Sequence, residues 1–212
     1  MKNYFFTILL FSTFIFVSII KAEDIQLTPN QIEIIKKIDS FYNENPTLKS
    51  HITQIKNNET EVKGVLILSR PYNMRVEYDE DDTIIITNEE TITMQSKAKK
   101  QRSYIPMDET SLKFIIGEQK SLLDTEKFKI INFEEKDDSI SITIIGTSFY
   151  IYNIGSATIV FDKTTLKIKE WILVNNSNTI KLLFDDPEIS NKQIPVNIFN
   201  IEKIETMDFN SI

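Results

Sequence analysis

The chain has 212 residues with 31 acidic and 24 basic side chains, one histidine, four glycines and no cysteine. The net charge of −7 argues against nucleic acid or an anionic membrane surface as a partner, because both would repel the chain. The composition also lacks the usual zinc ligands, the usual parts of thiol and serine triads, and a glycine-rich phosphate loop. We therefore expect a binding protein without cofactor or metal, not an enzyme.

An apolar run stands at the N-terminus. Lys2 precedes the run, and Ala22 follows it as a small residue before an acidic stretch, which is the pattern of a secretory signal peptide. We expect residues 1–22 to be a cleaved signal peptide and residues 23–212 to form a single domain. Because the run approaches the ~18 residues that span a bilayer, an uncleaved anchor is the alternative.

A helix is predicted directly after the acidic stretch. Thr28 and Gln31 have the spacing of a capping box, and Pro29 suits the first helical turn. Asn45 and Pro46 are expected to end the helix. Its apolar residues recur at helical spacing, which predicts one buried stripe: Ile32, Ile35, Ile38 and Phe41.

From Leu48 onward the pattern is that of strands joined by short polar turns. Asp185, Asp186 and Pro187 are expected to end one strand, because proline cannot donate to a sheet ladder. The prediction is a meander of about eleven strands, drawn from residues 48–55, 64–70, 74–78, 83–87, 91–95, 101–105, 128–133, 139–145, 157–161, 166–174, 179–184 and 195–201.

The stretch from Gly64 to Tyr78 organises this meander. Its first strand is apolar on both faces, which requires cover on both faces. Pro71 ends the strand and forms a corner, after which apolar and charged residues alternate, with Arg75 and Glu77 on the charged face. Arg70 is the outlier, because a guanidinium at the end of an apolar strand must reach water or hydrogen-bond acceptors.

One segment between the strands has a helical pattern instead. Leu112, Ile115 and Ile116 share one helical face, and Gly117 is a natural stop. A helix this short is marginal alone and depends on what it packs against, so it can be displaced at modest cost.

Three motifs together resemble the LolA family of periplasmic outer-membrane lipoprotein carriers. The family pattern Gly-x-Leu-x-x-x-Arg-Pro stands here as Gly64, Leu66, Arg70 and Pro71. The family's first strand, apolar-x-small-x-apolar-x-Gln, is matched by residues 48–54, and its short lid helix by residues 112–116. The resemblance extends in order and spacing over residues 29–201.

The resemblance implies a mainly β, α+β fold: a curved, incompletely closed antiparallel β-barrel covered by short lid helices. It implies a periplasmic, monomeric chaperone that binds the acyl chains of lipoproteins. The donor would be an inner-membrane ABC transporter, and the acceptor an outer-membrane lipoprotein. The alternative is a related periplasmic module that senses lipid or lipoprotein in an envelope-stress pathway.

A carrier of this kind needs an apolar cavity lined by alternate strand residues. Three acyl chains, fully buried, would contribute on the order of 36 kcal/mol at about 0.8 kcal/mol per methylene. That exceeds the roughly 20 kcal/mol ceiling of noncovalent binding, so burial must be incomplete or opening must be costly. We predict that the cavity is lined by Ile52, Leu66, Leu68, Met74, Val76, Tyr78, Ile140, Ile142 and Ile144.

Arg70 is the residue predicted to make opening costly. We expect its guanidinium to donate hydrogen bonds to lid carbonyl groups within residues 112–117 in the empty protein, at about 1.5–3 kcal/mol each. The resemblance implies the same role, because the family's arginine before proline helps to hold the lid shut. The other interpretation is a surface arginine at the end of a strand.

Two further classes stay open. A structural domain with a filled core would have no cavity and would not bind apolar dyes. A lipid-hydrolysing enzyme is disfavoured, because the sequence shows no nucleophile motif.

Overall fold

The structure is a computed structural model that describes residues 25–80, 82–96, 98, 101–118, 121–124, 126, 128–146, 155–175, 178–202 and 209. The predicted signal peptide, residues 1–22, lies outside the described residues. None of the described helices has the length and apolar character needed to cross a membrane.

Helix α1 spans Pro29–Glu44 and begins at the predicted capping box. The Thr28 N–H donates to Gln31 Oε1 at 2.8 Å, and the Gln31 N–H donates to Thr28 Oγ1 at 3.3 Å. Ile35 and Ile38, on the predicted stripe, are buried, so the helix packs against the sheet along that face.

The described residues form one antiparallel sheet of eleven strands in the order β6-β5-β4-β3-β2-β1-β11-β10-β9-β8-β7. Neighbours in the chain are neighbours in the sheet, except that β1 pairs with β11, and β6 and β7 are left as the two edges. This confirms the predicted open antiparallel fold. The strands are β1 Thr47–Lys56, β2 Thr60–Ser69, β3 Asn73–Tyr78, β4 Thr83–Thr87, β5 Thr91–Ser96, β6 Arg102–Pro106, β7 Phe128–Glu135, β8 Ser139–Gly146, β9 Ser156–Asp162, β10 Ile168–Asn175 and β11 Asn178–Ser190.

Two short helical pieces between β6 and β7 form what we call the lid segment. They are a 3-10 turn at Met107–Glu109 and a single α-helical turn, α2, at Lys113–Ile116. The helix ends before Gly117, as predicted. The lid segment and α1 pack on one face of the sheet, the inner face, whose alternate side chains form the main apolar core.

Gly64 permits close pairing of β2 with β3. It lies opposite Tyr78, and a Cβ at this position would be 2.2 Å from the carbonyl oxygen of Glu77. A side chain here would therefore push the β3 backbone away, which is a physical reason for the glycine that opens the motif.

The opposite, outer face of the sheet is covered near β3 by the end of the chain. A 3-10 helix at Val196–Phe199 lies where the sequence predicts a final strand, so that prediction is wrong. The charged face of β3 is buried under it: Arg75 is 2 % exposed and Glu77 7 %. Arg75 donates to Glu77 Oε1 at 2.8 Å and to the Ile198 carbonyl oxygen at 2.8 Å.

Strand β11 passes through Pro187, where the sequence predicts its end. The pairing with β1 slips between Lys49 and His51, so Asp186 and Pro187 together oppose Ser50 as a bulge. Asp186 has a φ of 37°, and Ser50 Oγ donates to the Asp185 carbonyl oxygen at 3.1 Å. The prediction is wrong because the bulge takes the proline out of the hydrogen-bond ladder.

Candidate apolar binding site

The inner face holds a cavity of about 410 Å³, which we call the inner cavity. Its walls come from β3–β6 on one side, β10 and β11 on the other, and the lid segment above. Exposed polar side chains, among them Lys56 and Asn178, stand at its rim. Its apolar wall consists of Met74, Val76, Ile85, Ile92, Met94, Ile105, Leu112, Leu173, Ile180 and Leu182.

A second cavity of about 60 Å³, the α1 cavity, lies beneath helix α1 at the other end of the inner face. Its polar wall residues include one charged cluster, formed by Asp39, Tyr42 and Arg70. Its apolar wall includes Ile38, Leu48, Leu68, Phe114, Ile115, Ile159, Phe161, Ile168 and Trp171. The two cavities lie against neighbouring strands, because Leu182 in the wall of the inner cavity is the cross-strand partner of Trp171 in the wall of the α1 cavity.

The nine predicted cavity residues are all buried in the apolar core of the inner face. Met74, Val76 and Tyr78 line the inner cavity, and Leu68 lines the α1 cavity. The other five form packed core, and none is in the described wall of either cavity: Ile52, Leu66, Ile140, Ile142 and Ile144. The alternation of apolar residues along the strands thus indicates which side chains face the core. Which of them line a cavity depends on where the lid segment lies.

The predicted lid residues are placed on both cavities. Leu112 lines the inner cavity, Ile115 lines the α1 cavity, and Ile116 is fully buried. Phe114, which the sequence analysis does not include, is also buried and lines the α1 cavity. Helical spacing alone does not place Phe114 on the predicted apolar face, but this single turn buries more than one side.

The lid segment is joined to the sheet beside Arg70. The Tyr72 N–H donates to the Ile116 carbonyl oxygen at 2.7 Å, directly after the corner at Pro71. Arg70 lies in the wall of the α1 cavity together with Phe114 and Ile115 of the lid. The hydrogen bonds predicted from the Arg70 guanidinium to lid carbonyl groups stay a prediction.

Arg70, Asp39 and Tyr42 form a half-buried polar cluster. Burial lowers the pKa of Arg70, and the charges of Asp39 and Tyr42 partly oppose this. Burial raises the pKa of Asp39, against hydrogen bonds from Ser121 and Leu122 and the charge of Arg70. Burial likewise raises the pKa of Tyr42 above its usual range, against the same arginine.

Asp39 also ties helix α1 to the chain that follows the lid segment. Its Oδ2 accepts from Ser121 Oγ at 2.7 Å, and its Oδ1 accepts from the Leu122 N–H at 3.0 Å. On the next turn, Tyr42 Oη donates to the Leu166 carbonyl oxygen at 3.1 Å. These polar contacts fasten α1 across the sheet, and they stand beside the α1 cavity.

Among the described residues there is no group of three or more histidine, cysteine, aspartate or glutamate side chains that could hold a metal ion. The arrangement offers a mostly apolar volume with a few donors and two carboxylates, Asp39 and Glu109, which suits binding.

Comparison with known proteins gives one family. The family model of the outer membrane lipoprotein carrier protein LolA matches residues 43–202. No curated protein matches the chain.

Solved structures with this fold are similar at low identity. A domain described as an outer membrane lipoprotein-sorting protein, from Vibrio parahaemolyticus, has a TM-score of 0.50 and 13% identity, covering 81% of this chain and 96% of that one. A LolA superfamily protein from Nitrosomonas europaea has a TM-score of 0.46 and 10% identity, with 81% and 97% covered. At such identities a likeness shows the fold alone.

Proposed function

Since the chain belongs to the LolA family, whose model is that of the outer membrane lipoprotein carrier protein, we propose that it is a periplasmic carrier of acylated lipoproteins. In this proposal residues 1–22 direct export, and residues 23–212 form the carrier domain, which works as a monomer. The carrier takes its cargo from an inner-membrane ABC transporter and delivers it to an outer-membrane acceptor. The family consists of carriers and not of enzymes.

The observation that carries the proposal is the inner cavity. A volume of about 410 Å³ with a mostly apolar wall is available to aliphatic chains without displacing packed side chains. Sites of roughly 300–1,000 Å³ with few polar groups are typical of small apolar ligands. The inner face is not completely filled by its own side chains. A completely filled core would argue against a carrier.

The size of the cavity also shapes the mechanism. Its volume is near the low end of the range for a drug-sized ligand, so several acyl chains exceed the closed cavity. Cargo uptake then requires α1 and the lid segment to move apart. The free energy of opening opposes cargo binding, which keeps affinity low enough for release.

Arg70 is placed to set that free energy. On one side it interacts electrostatically with Asp39 and Tyr42 of α1. On the other side it shares the wall of the α1 cavity with the lid segment. A guanidinium that loses its partners when the cavity opens would favour the closed, empty state. Arg70 therefore promotes release rather than uptake, with Leu112, Ile115 and Ile116 as the apolar part of the same closure.

The first test is direct. We expect the mature chain, purified from its periplasm without detergent, to carry acylated proteins or peptides that mass spectrometry identifies. A chain that returns free of acylated species, and that binds neither a synthetic triacyl lipopeptide nor an apolar dye, would contradict the proposal.

The second test concerns release. Arg70→Leu should retain a fluorescent triacyl lipopeptide longer than the wild type when acceptor liposomes are added, because closing no longer competes with the cargo. Arg102→Leu is the matched control, since it removes a guanidinium from edge strand β6, outside the described wall of either cavity. Equal transfer rates in all three proteins would remove Arg70 from the mechanism.

A further inference from the structure

Trp171 is the only tryptophan of the chain and lines the α1 cavity. It lies on the inner face of β10, opposite Ile159 of β9 and Leu182 of β11. The side chain is 2 % exposed. The Trp171 and Phe184 rings pack edge to face at a centroid distance of 4.9 Å. The indole is therefore held firmly by its neighbours.

The indole N–H of Trp171 has no hydrogen-bond acceptor among the described residues. Indole nitrogen can only donate, and a buried donor without an acceptor costs about 1–3 kcal/mol. Tryptophan is usually placed so that its N–H finds a partner when buried. A phenylalanine would fill this apolar position without that cost, so the donor points to an acceptor that the described residues do not provide.

The α1 cavity, which Trp171 helps to line, is large enough for such an acceptor. Trp171 forms part of the wall of the α1 cavity, whose volume of about 60 Å³ exceeds the roughly 10–15 Å³ that one buried water occupies. Most of the wall around the ring is aliphatic or aromatic. The acceptor that fits is thus a single oxygen atom carried by an otherwise apolar group.

We propose that Trp171 is an anchor for the acyl ester of the cargo, with its indole N–H donating to the ester carbonyl oxygen in the α1 cavity. This deepens the proposed function and rests on it. The hydrocarbon chain then runs from the α1 cavity past Leu182 into the inner cavity. The anchor sets where the chain begins, and the inner cavity sets how much of it is buried.

The Arg70 guanidinium shares this cavity wall but has a different task. It faces the Asp39 carboxylate and Tyr42, and its pKa reflects both. An ester carbonyl is neutral and needs one donor, which Trp171 offers without breaking an existing contact. The hydrogen bond at Trp171 therefore does not compete with Arg70 for its partners Asp39 and Tyr42.

The experiment uses two lysolipids that differ by one carbonyl group: 1-dodecanoyl-glycero-phosphocholine, an ester, and its 1-dodecyl ether counterpart. Dissociation constants below the micellar concentration come from displacement of an apolar dye. In the wild type we expect the ester to bind about three- to tenfold more tightly than the ether, which is what one hydrogen bond contributes. In Trp171→Phe the two ligands should bind alike.

Phe184→Leu is the matched control, because it removes aromatic volume next to the same indole while the N–H remains. We expect it to weaken both ligands and to keep the preference for the ester. A preference that survives in Trp171→Phe, or that disappears in Phe184→Leu as it does in Trp171→Phe, would overturn the assignment.

A second measurement needs no variant. The chain has a single indole N–H, so its 15N-labelled form gives one indole cross-peak in a proton–nitrogen correlation spectrum. The ester should move this peak downfield and the ether should not. A peak already downfield without ligand and unmoved by the ester would mean that water satisfies the N–H, and the proposal would fall.

The outcomes separate this inference from the carrier function. Equal binding of ester and ether by the wild type overturns the Trp171 anchor and leaves the carrier in place. Failure of both lysolipids and of the dye to bind overturns both proposals.

Discussion

Asp39 is the acidic residue that α1 contributes to the cluster around Arg70. Its carboxylate is half-buried, and burial raises its pKa from 3.8 more than Ser121, Leu122 and Arg70 lower it. The residue therefore links α1 to the chain after the lid at some cost in free energy. Such a contact holds the closed state without making it rigid.

This cost predicts a pH dependence of stability. Between 3.8 and the raised pKa of Asp39, the folded protein binds more protons than the unfolded chain, so the free energy of unfolding falls as pH rises through that window. Asp39→Asn abolishes the contribution. The difference in unfolding free energy, wild type minus variant, should thus decrease from pH 4 upward in urea titrations. A difference that increases with pH would contradict the assignment.

Gly64 gives a second prediction at this scale. Gly64→Ala places a Cβ 2.2 Å from the Glu77 carbonyl oxygen, so β2 and β3 must separate. We expect a loss of about 1–3 kcal/mol in the free energy of unfolding, the usual range for overpacking. Lys63→Ala, at the exposed neighbouring position, should stay within about 0.5 kcal/mol. Chemical denaturation measures both, and equal stabilities would contradict the steric argument.

The C-terminal segment, residues 196–202, is an element held to the outer face by two arginines. Arg75 of β3 donates to the Ile198 carbonyl oxygen at 2.8 Å, and Arg102 of β6 donates to the Ile201 carbonyl oxygen at 3.0 Å. Arg75 is also paired with the buried Glu77, whereas Arg102 pairs with the exposed Glu202. Both attachments therefore combine a hydrogen bond to a carbonyl oxygen with an ion pair, and they differ in how deeply the ion pair is buried.

That difference predicts unequal effects. Arg75→Met leaves the Glu77 carboxylate buried without its cation, which should cost about 3–5 kcal/mol of stability. Arg75→Met with Glu77→Leu should recover most of the loss, since a well-packed apolar pair can replace a buried ion pair. Arg102→Met should have the smallest effect of the three. Thermal and urea unfolding test the order, and a double variant as unstable as Arg75→Met would contradict the explanation.

Most elements could be predicted from the sequence because their signals are local. The capping box of α1 lies within four residues, and the alternation of Ile140, Ile142 and Ile144 describes β8. The predicted bounds of β4, residues 83–87, agree with the structure to the residue. All nine side chains that periodicity predicts for the cavity lie in the core of the inner face.

What failed depends on contacts between distant parts of the chain. The charged alternation of β3 indicates an exposed face until residues 196–199 cover it, some 120 positions later. Pro187 stays in β11 because β1 accommodates a bulge opposite Ser50. The cavity wall likewise depends on where the lid segment lies, which no local pattern in Leu66 or Ile52 reveals. Nor could sequence show that the Trp171 N–H has no acceptor among the described residues.

At the scale of the molecule, the fold separates two tasks between its faces. Ile67 and Ile84 on the outer face are fully buried, and residues 196–202 fasten that side of the sheet. The inner face keeps an open volume under α1 and the lid segment, closed partly by Asp39 and Tyr42. The outer face thus adds stability away from the cavities, so α1 and the lid segment can move while the sheet remains folded.

The closed volume predicts a limit on the length of a single chain. For alkyl lysolipids of increasing length, each added methylene should tighten binding about fourfold, which is ~0.8 kcal/mol, until the cavities are filled. Longer chains should gain nothing further in the wild type. Asp39→Ala, which frees α1 from Ser121 and Leu122, should move this limit to longer chains.

Glu33→Ala is the control for that shift, because Glu33 is an exposed acid on the same helix that pairs only with the exposed Lys37 among the described residues. It should leave the limit where the wild type has it. Isothermal titration of the chain-length series measures all three proteins. An affinity that rises undiminished through the longest chain in the wild type would mean that the closed cavities do not bound the ligand. A limit that stays fixed in Asp39→Ala would mean that α1 is not the part that opens.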